Sequence, residues 1–591
     1  WLKNPLAIFT ANALDARGGL VVQDGVIVEV LKQGQQPATP CGQVFDAREH
    51  VILPGLINTH HHFYQTLTRA WAPVVNQPLF PWLKTLYPVW ARLTPEKLAL
   101  ATKVALAELL LSGCTTAADH HYLFPDGLEN AIDVQVASVR ELGMRAMLTR
   151  GSMSLGEKDG GLPPQQTVQE GEVILADSQR LIAEYHERGD GAQIQIALAP
   201  CSPFSVTPEI MSASAELANQ LDVRLHTHLA ETLDEEDFCL QRFGLRTVDY
   251  LDSVGWLGPR TWLAHGIHFN PDEIARLGAA GTGICHCPSS NMRLASGICP
   301  SIELTDAGAP LGLGVDGSAS NDASNMILEA RQALYIQRLR YGAEKITPER
   351  VLGWATKGSA QLLGRSDIGE LAVGKQADLA LFKLDELRFS GSHDPVSALL
   401  LCGADRADRV MVGGQWRVID GQVEGLDLKG LIADHSQAAR QAARRLFSTP
   451  ETVREWEPFV LPGKAFARFD AAAIQGRPAL VVSAERSVSI LRQQMDTAPV
   501  QAGRLAFSWK IDGLAPGADL ADAQNEDSPV RIVLAFDGDR AKLSPRTHRL
   551  SELTRLLTGE PLPYASLVYV WSNTEPAGAV VVNPRTDRIR K

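Results

Sequence analysis

From residue 6 to residue 30 apolar and polar positions alternate as they do in half-buried strands, and Leu20, Val21, Val22 are separated from Val26, Ile27, Val28 by Asp24-Gly25. That dipeptide between alternating apolar runs predicts a hairpin, because both central residues of the favoured turn need positive φ. The texture returns far downstream, where 377–382 reads as a strand and Val410, Met411, Val412 face Trp416 and Val418 across Gly413-Gly414. These two β pieces flank everything between them, and we expect one discontinuous small β-sandwich domain from residues 1–54 and 366–425.

Between them, short apolar runs alternate with stretches of helical spacing. The expected strands are 55–59, 114–119, 145–150, 193–199, 223–228, 261–265, 281–285 and 311–316, with helices over 98–111, 175–186 and 210–220 among the gaps. Strands alternating with helices imply a parallel sheet, and eight such units predict an α/β fold, a closed (β/α)8 barrel over residues 55–365. The strand ends are more informative than their number. Read to their polar termini, the runs end at His60 and His62, Asp119 with His120, Arg150, Cys201, His228, His265, His286 and Asp316. Barrel enzymes assemble their sites at the C-terminal ends of strands, so these scattered residues are expected to converge.

After the barrel the pattern changes. Residues 426–449 read as a C-terminal helix of the preceding unit and 450–458 as a linker. Runs at 479–483, 504–511, 531–536, 567–571 and 579–582 read as strands separated by Gly, Pro and Asp turns. An all-β, sandwich-like module over 456–591 is expected, with no catalytic set of its own.

Length and charge narrow the function classes. The chain has 591 residues, too many for one ordinary domain, and 56 basic against 68 acidic residues give a net charge of -12. That balance argues against nucleic-acid or anionic-membrane binding by bulk charge and favours a small-molecule partner. No apolar run reaches the roughly 20 residues of a membrane span, and the first 30 residues lack the pattern of a cleaved signal. Eight cysteines are too sparse for a disulfide scaffold. A cytoplasmic protein and a homo-oligomer are expected. The chain opens on Trp1 and stops at Lys591 in mid-pattern, as a fragment would.

The chemistry is concentrated in four strand ends. In an extended segment residues i and i+2 point the same way, so His60 and His62 can grip one ion while His61 faces elsewhere. His228 ends a second strand with Glu231 three residues on, His265 ends a third, and Asp316 ends the last. Each alone reads equally well as a surface or satisfied core residue, but a carboxylate closing an apolar strand is costly unless paired or metal-bound. A binuclear site would need a carboxylated lysine or a carboxylate near the fourth strand. No lysine lies between Lys158 and Lys345, and 193–201 has no carboxylate. One divalent metal is therefore expected, zinc or alternatively iron, on His60, His62, His228 and Asp316, with a water as nucleophile. Glu231 suits a proton shuttle to a leaving amine, Asp316 can take the water proton, and His265 can orient the attack. Cys285-His286-Cys287 looks like a zinc fragment but lacks a second ligand pair and is expected to be a packed strand end.

At these residues the chain resembles the amidohydrolase superfamily, in its aminohydrolase branch. The stretches His60 to Arg69, Thr149 to Ser154, Ala199 to Ser205, His286 to Leu294 and Asp316 to Asp322 are most similar to 8-oxoguanine deaminases, over roughly residues 1–447. The resemblance implies hydrolysis of 8-oxoguanine to urate and ammonia, with isocytosine-like rings as further substrates. Adenosine-type deaminases carry histidine where this chain has Cys201, which implies a different ring edge. Gln65 and Arg150 have donors and acceptors for a purine's amide edge, and Trp71, Trp82 and Tyr87 could stack on the base. Two alternatives stand beside this reading: a hydrolase of amino-substituted triazines or pyrimidines on the same site, and a vestigial barrel serving a binding β module. From about Trp456 the chain resembles an uncharacterised β-rich bacterial family, through Ser508-Trp509-Lys510 and Val530 to Val533.

Overall fold

In the computed structural model the eight apolar runs form one parallel sheet in chain order: β1 (Leu56–Asn58), β2 (Cys114–His121), β3 (Arg145–Ser152), β4 (Ile194–Pro200), β5 (Leu225–Leu229), β6 (Thr261–His265), β7 (Gly283–His286) and β8 (Leu311–Leu313). Nearly every residue in these strands is buried on both sheet faces, which is why they read as continuous apolar runs rather than alternating ones. The tail of β8 is stitched to β1: Thr59 N–H donates to the Leu313 carbonyl and Asp316 N–H to the His60 carbonyl, each at 3.0 Å. That approach needs Gly314, where a Cβ would lie 2.6 Å from Cys285 Sγ and 2.8 Å from His60 Cβ. The structure describes residues 1–442 and, beyond them, 456–460, 467–474, 477–483, 489–492, 530–558 and 561–570 with a few shorter pieces.

Inside the barrel, Ile57, Ala118, Met147, Ala197, Trp262 and Cys285 form an apolar layer with Ala360, Leu362, Leu363 and Ile368. Strand parity then decides what stands next on the same side. Two residues beyond Ala118 comes His120, and on β5 His226 and His228 share one face. The polar groups thus sit at the strands' C-terminal ends, next to a dry packed interior.

The remaining strands of the unit Trp1–Arg445 make two sheets. One runs in the order Val26–Leu31, Gly19–Gln23, Leu2–Lys3, Phe45–Asp46. The other runs Gln422–Val423, Gln415–Ile419, Arg409–Val412, Leu379–Lys383, His50–Pro54, Ala7–Ile8. They share an apolar cluster that includes Leu20, Ile27, Ile52, Leu379 and Met411. Both expected hairpins form, with positive φ at Asp24 (53°) and Gly25 (82°) and at Gly413 (54°) and Gly414 (77°). Strand His50–Pro54 runs almost directly into β1, so these sheets anchor the segment that delivers the histidines. Helix Leu428–Ala442 packs near the loop after β1, and His435 Nε2 lies 3.0 Å from the Thr66 hydroxyl.

The unit Leu446–Lys591 contains, among its described residues, strand Glu457–Val460 paired with Ser489–Arg492, the hairpin Arg468–Ile474 with Arg477–Ser483, and a three-stranded sheet of Arg531–Phe536, Ala565–Val570 and Ile589–Arg590. It is not all-β: Pro545–Thr558 is a helix. Leu550, Leu553 and Leu557 recur there at helical spacing behind a proline in the first turn, a pattern that the surrounding strand signals obscure. Of the expected strands 504–511 and 579–582, Phe507, residues 509–511 and residues 580–581 are not in a strand, and the rest lie outside the described residues, as do 443–455. Among the described residues no helix is long and apolar enough to cross a membrane.

Candidate active site

At the C-terminal ends of β1, β5 and β8 three imidazoles and one carboxylate converge. Asp316 Oδ1 lies 3.1 Å from His60 Nε2 and 3.2 Å from His62 Nε2, and His228 Nε2 lies 3.2 Å from His62 Nε2. The other ring nitrogens fix the tautomers. His62 Nδ1–H donates to the His120 carbonyl and His228 Nδ1–H to the Cys201 carbonyl, both at 2.7 Å. His226 Nδ1–H donates to the Trp262 carbonyl at 2.8 Å, so its Nε2 accepts from His60 Nδ1–H at 2.7 Å. All three ligand-side nitrogens are therefore bare acceptors facing a carboxylate oxygen and one another. His60 Nε2 is buried without any hydrogen-bond partner. Four acceptors crowded together with no proton between them fit a cation, and three imidazoles with one carboxylate suit a divalent metal.

Electrostatics point the same way. Burial holds the His60 and His228 imidazoles well below the usual histidine range, so both are neutral near pH 7. Asp316 is buried beside them. Its Oδ2 accepts the hydroxyls of Ser290 (2.6 Å) and Ser320 (3.0 Å). Asp316 and His265 adopt left-handed backbone, φ 62° and 71°, and Ala230, between His228 and Glu231, has φ 53°. Such strain in non-glycine residues gathers where function over-determines the backbone.

Beside the cluster, Glu231 Oε2 lies 3.4 Å from His265 Nε2, which is 3.9 Å from Asp316 Oδ2. Burial pushes the Glu231 carboxyl up. Burial works against the His265 imidazolium, but the carboxylates of Glu231 and Asp316 outweigh it and raise its pKa. His265 Nδ1–H donates to Asn291 Oδ1 at 2.9 Å, which aims Nε2 at the two carboxylates. The result is a proton-sharing pair next to the acceptor cluster.

The expected residues His60, His62, His228, Glu231, His265 and Asp316 are thus brought together. Gln65 and Cys201 line the same small cavity, about 30 Å³, with Trp82 and Tyr87. Arg150 does not line it. Its guanidinium is committed to Asp177 (2.7 Å), Gln169 (3.0 Å) and the Gly151 carbonyl (2.5 Å), over the Phe124 ring. Partners on the following helix and loop compete for this arginine near the end of β3 and turn it away from the cavity. Trp71 also lies outside the cavity wall. Cys285 and Cys287 are free thiols 3.7 Å apart in a packed strand end.

Three residues carry more than their sequence signal suggests. His226 orients His60. His120 brings a fourth imidazole whose ligand atom lies within 4.8 Å of those of His60, His62 and His228, with Nδ1 unpartnered. Glu235 accepts the backbone N–H groups of Ala230 and Glu231, both at 3.1 Å. For His226, the i, i+2 parity with His228 is the available signal.

Residues 51–417 match the amidohydrolase family, and residues 454–591 match a family described only as a protein of unknown function, DUF3047. The chain is 86% identical over 439 residues, 74% of its own length and 98% of the relative's, to the 8-oxoguanine deaminase of Pseudomonas aeruginosa. It is 36% identical over 425 residues, 69% and 88% of the two chains, to the hydroxydechloroatrazine ethylaminohydrolase of a Pseudomonas species. Among solved structures, the zinc complex of atrazine chlorohydrolase from Arthrobacter aurescens superposes with a TM-score of 0.70 at 31% identity, covering 74% of this chain and 99% of that one.

Proposed function

The chain belongs to the amidohydrolase family, and from that premise we propose that its Trp1–Arg445 unit is a metal-dependent deaminase hydrolysing 8-oxoguanine to urate and ammonia. The observation that carries the substrate is the 86% identity across 98% of a relative bearing that activity in its name. The site supports the reaction class, since an acceptor cluster suited to a cation adjoins a buried Glu-His pair.

We assign His60, His62, His228 and Asp316 as the metal ligands and zinc as the ion, in keeping with the imidazole-rich donor set and the zinc held by the related triazine-hydrolase structure. When bound, the ion supplies Lewis acidity, which lowers the pKa of a bound water from 15.7 to about 7. The chain's own groups move the protons. Water adds to C2, the amine-bearing carbon. Asp316 Oδ2, facing His265, accepts the proton of the attacking water. Glu231, protonated more readily because it is buried, delivers its proton to the ring nitrogen; the proton held by Asp316 passes to the amine, the C2–N bond breaks and ammonia leaves, and the remaining hydroxyl proton of the adduct returns to Glu231 as the new carbonyl forms. His265, held by Asn291, donates to the oxygen that becomes the new carbonyl. Gln65 and Cys201 are assigned to the ring edges nearest the reacting carbon. Gln65 Oε1 already accepts from Ala319 N–H at 3.3 Å, which turns its amide donor side elsewhere.

Ammonia release from 8-oxoguanine, guanine, isocytosine and an aminotriazine, measured side by side with urate formation, tests this reading. We expect 8-oxoguanine to be turned over fastest. Brisk turnover of the triazine with negligible turnover of 8-oxoguanine would overturn it in favour of the triazine alternative.

A further inference from the structure

We propose that His120 forms, with His60, His62 and His228, a second metal seat made of imidazoles alone, which takes copper(II) and shares three donors with the Asp316 seat. This goes beyond the deaminase reading and does not depend on which substrate is turned over. The four donors converge from the ends of β1, β2 and β5, with one ligand atom of each ring within 4.8 Å of the other three, in a set that does not include Asp316. The His120 ring stacks on that of His228 at 4.6 Å and lies 5.4 Å from the ring of His62 and 5.6 Å from that of His60. Its Nε2–H donates to the Ala199 carbonyl at 2.9 Å, so Nδ1 carries the lone pair. That nitrogen is buried without a hydrogen-bond partner, as is His60 Nε2.

Buried acceptors are nearly always paired, and stacking on His228 does not use this one. His61, His121 and His286 also leave Nδ1 unpartnered, but among the described residues none of them belongs to a converging set of donors. The donor chemistry says which ion fits. The Asp316 seat sets one negative charge against a divalent ion, and its mixed nitrogen and oxygen donors suit zinc. The His120 seat brings no charge, so an ion there has to gain more from a fourth nitrogen than it loses by parting from the carboxylate. Among divalent first-row ions copper(II) binds nitrogen donors most tightly, and imidazole suits it. Because the two seats share three imidazoles, they cannot be filled together. An ion in the His120 seat gives up Asp316, which the deaminase reading places at the reacting water, so copper holds the protein inactive.

The experiment exchanges the whole chain from zinc into copper(II) and counts the coordinated nitrogens from the hyperfine couplings of the EPR spectrum. We expect four nitrogens in the native protein and in Asp316→Asn, and three in His120→Phe, which keeps an aromatic ring against His228. Copper affinity, measured against a competing chelator, should fall at least about tenfold in His120→Phe and change less than about threefold in Asp316→Asn. Circular dichroism checks that each variant is folded. Three nitrogens in the native protein, a result that needs no variant, would overturn the second seat, and so would an equal count with and without His120. Ammonia release from 8-oxoguanine by the zinc form is a separate measurement: its failure would overturn the deaminase reading and leave the copper count standing.

Discussion

Replacing His226 with alanine tests whether the metal seat depends on a chain of fixed tautomers. In the native protein the Trp262 carbonyl takes the Nδ1 proton of His226, whose Nε2 then takes the Nδ1 proton of His60. Without His226 the His60 proton is buried with no acceptor, or it moves to Nε2 and blocks the lone pair that faces Asp316. A buried donor left unsatisfied costs about 1–3 kcal/mol. At roughly 1.4 kcal/mol per decade that corresponds to about 5- to 150-fold in metal affinity, overlapping the 10- to 100-fold typical of partners behind metal-bound histidines. Because His226 also stacks on Trp262 at 4.3 Å, alanine leaves a hole as well, and the control is His226→Gln, which restores an acceptor and most of the volume. The assay is zinc competition with a chromophoric chelator, with circular dichroism to confirm the fold. We expect His226→Ala to weaken zinc at least about tenfold and His226→Gln to recover most of that loss. Folded His226→Ala binding zinc within about twofold of the native protein would refute the tautomer argument.

Glu231→Gln should lower kcat at least about a hundredfold with metal content unchanged by elemental analysis, and loss of the metal with the activity would remove Glu231 from the proton-shuttle role. Glu235→Ala should lower kcat more than about tenfold while KM and metal content hold, because the backbone N–H groups of Ala230 and Glu231 lose both carboxylate oxygens that accept from them; an unchanged kcat would make Glu235 a purely structural residue. Arg150→Ala should lower stability by about 1–3 kcal/mol in urea unfolding, since Gln169 and the Gly151 carbonyl lose their buried donor while Asp177 keeps Arg180, yet leave KM for 8-oxoguanine within about threefold. Glu329 is buried and its carboxyl is pushed up from 4.5 to about 7. The unfolded chain therefore loses this proton first, so the group's contribution favours folding at pH 4.5 and is lost as pH rises toward 7; Glu329→Gln should flatten that part of the stability curve, and an unchanged slope would contradict the shift.

Which features are legible in the sequence follows from which forces act locally. Hairpins are legible because Asp24-Gly25 and Gly413-Gly414 need positive φ whatever surrounds them. Barrel strands are legible because double burial forces continuous apolar runs, and the cluster of His60, His62, His228 and Asp316 because a histidine or carboxylate closing such a run is costly to bury unless it binds something. Arg150 stands near the end of β3 as His228 does near the end of β5, and nothing in the strand itself distinguishes a side chain aimed at the cavity from one claimed by Asp177 and Gln169. That outcome is decided by tertiary partners 27 and 19 residues away. His226 escapes a reading of the sequence for the opposite reason: its parity is visible, but its partner His60 is 166 residues distant, and only the fold reveals that one imidazole orients another. Helix Pro545–Thr558 is a third case, a periodic pattern submerged by strand signals on either side.

Three buried carboxylates account for how the site holds strained residues in place. Asp119, near the end of β2, accepts Phe63 N–H at 2.7 Å, next to His62. Glu235 accepts Ala230 and Glu231 N–H behind His228, and Glu329 accepts Ser289 N–H (2.9 Å) and Asn321 Nδ2–H (2.9 Å) in the loops after β7 and β8. Burial raises all three, to about 7, 8 and 7 respectively, so each is held in a setting that disfavours its charge. Apolar replacements would avoid that desolvation but would leave backbone N–H groups orphaned within a few residues of the reacting groups. The N–H groups cannot pair within the strands, because the chain has already left the sheet to present its ligands, and water in their place would leave the turns free to move. A carboxylate offers two acceptor oxygens on a short, packed side chain, enough to clamp two adjacent amides, as Glu235 does across the left-handed turn at Ala230. Burying three acids is thus the physical consequence of building a polar site from loops rather than from the strands themselves.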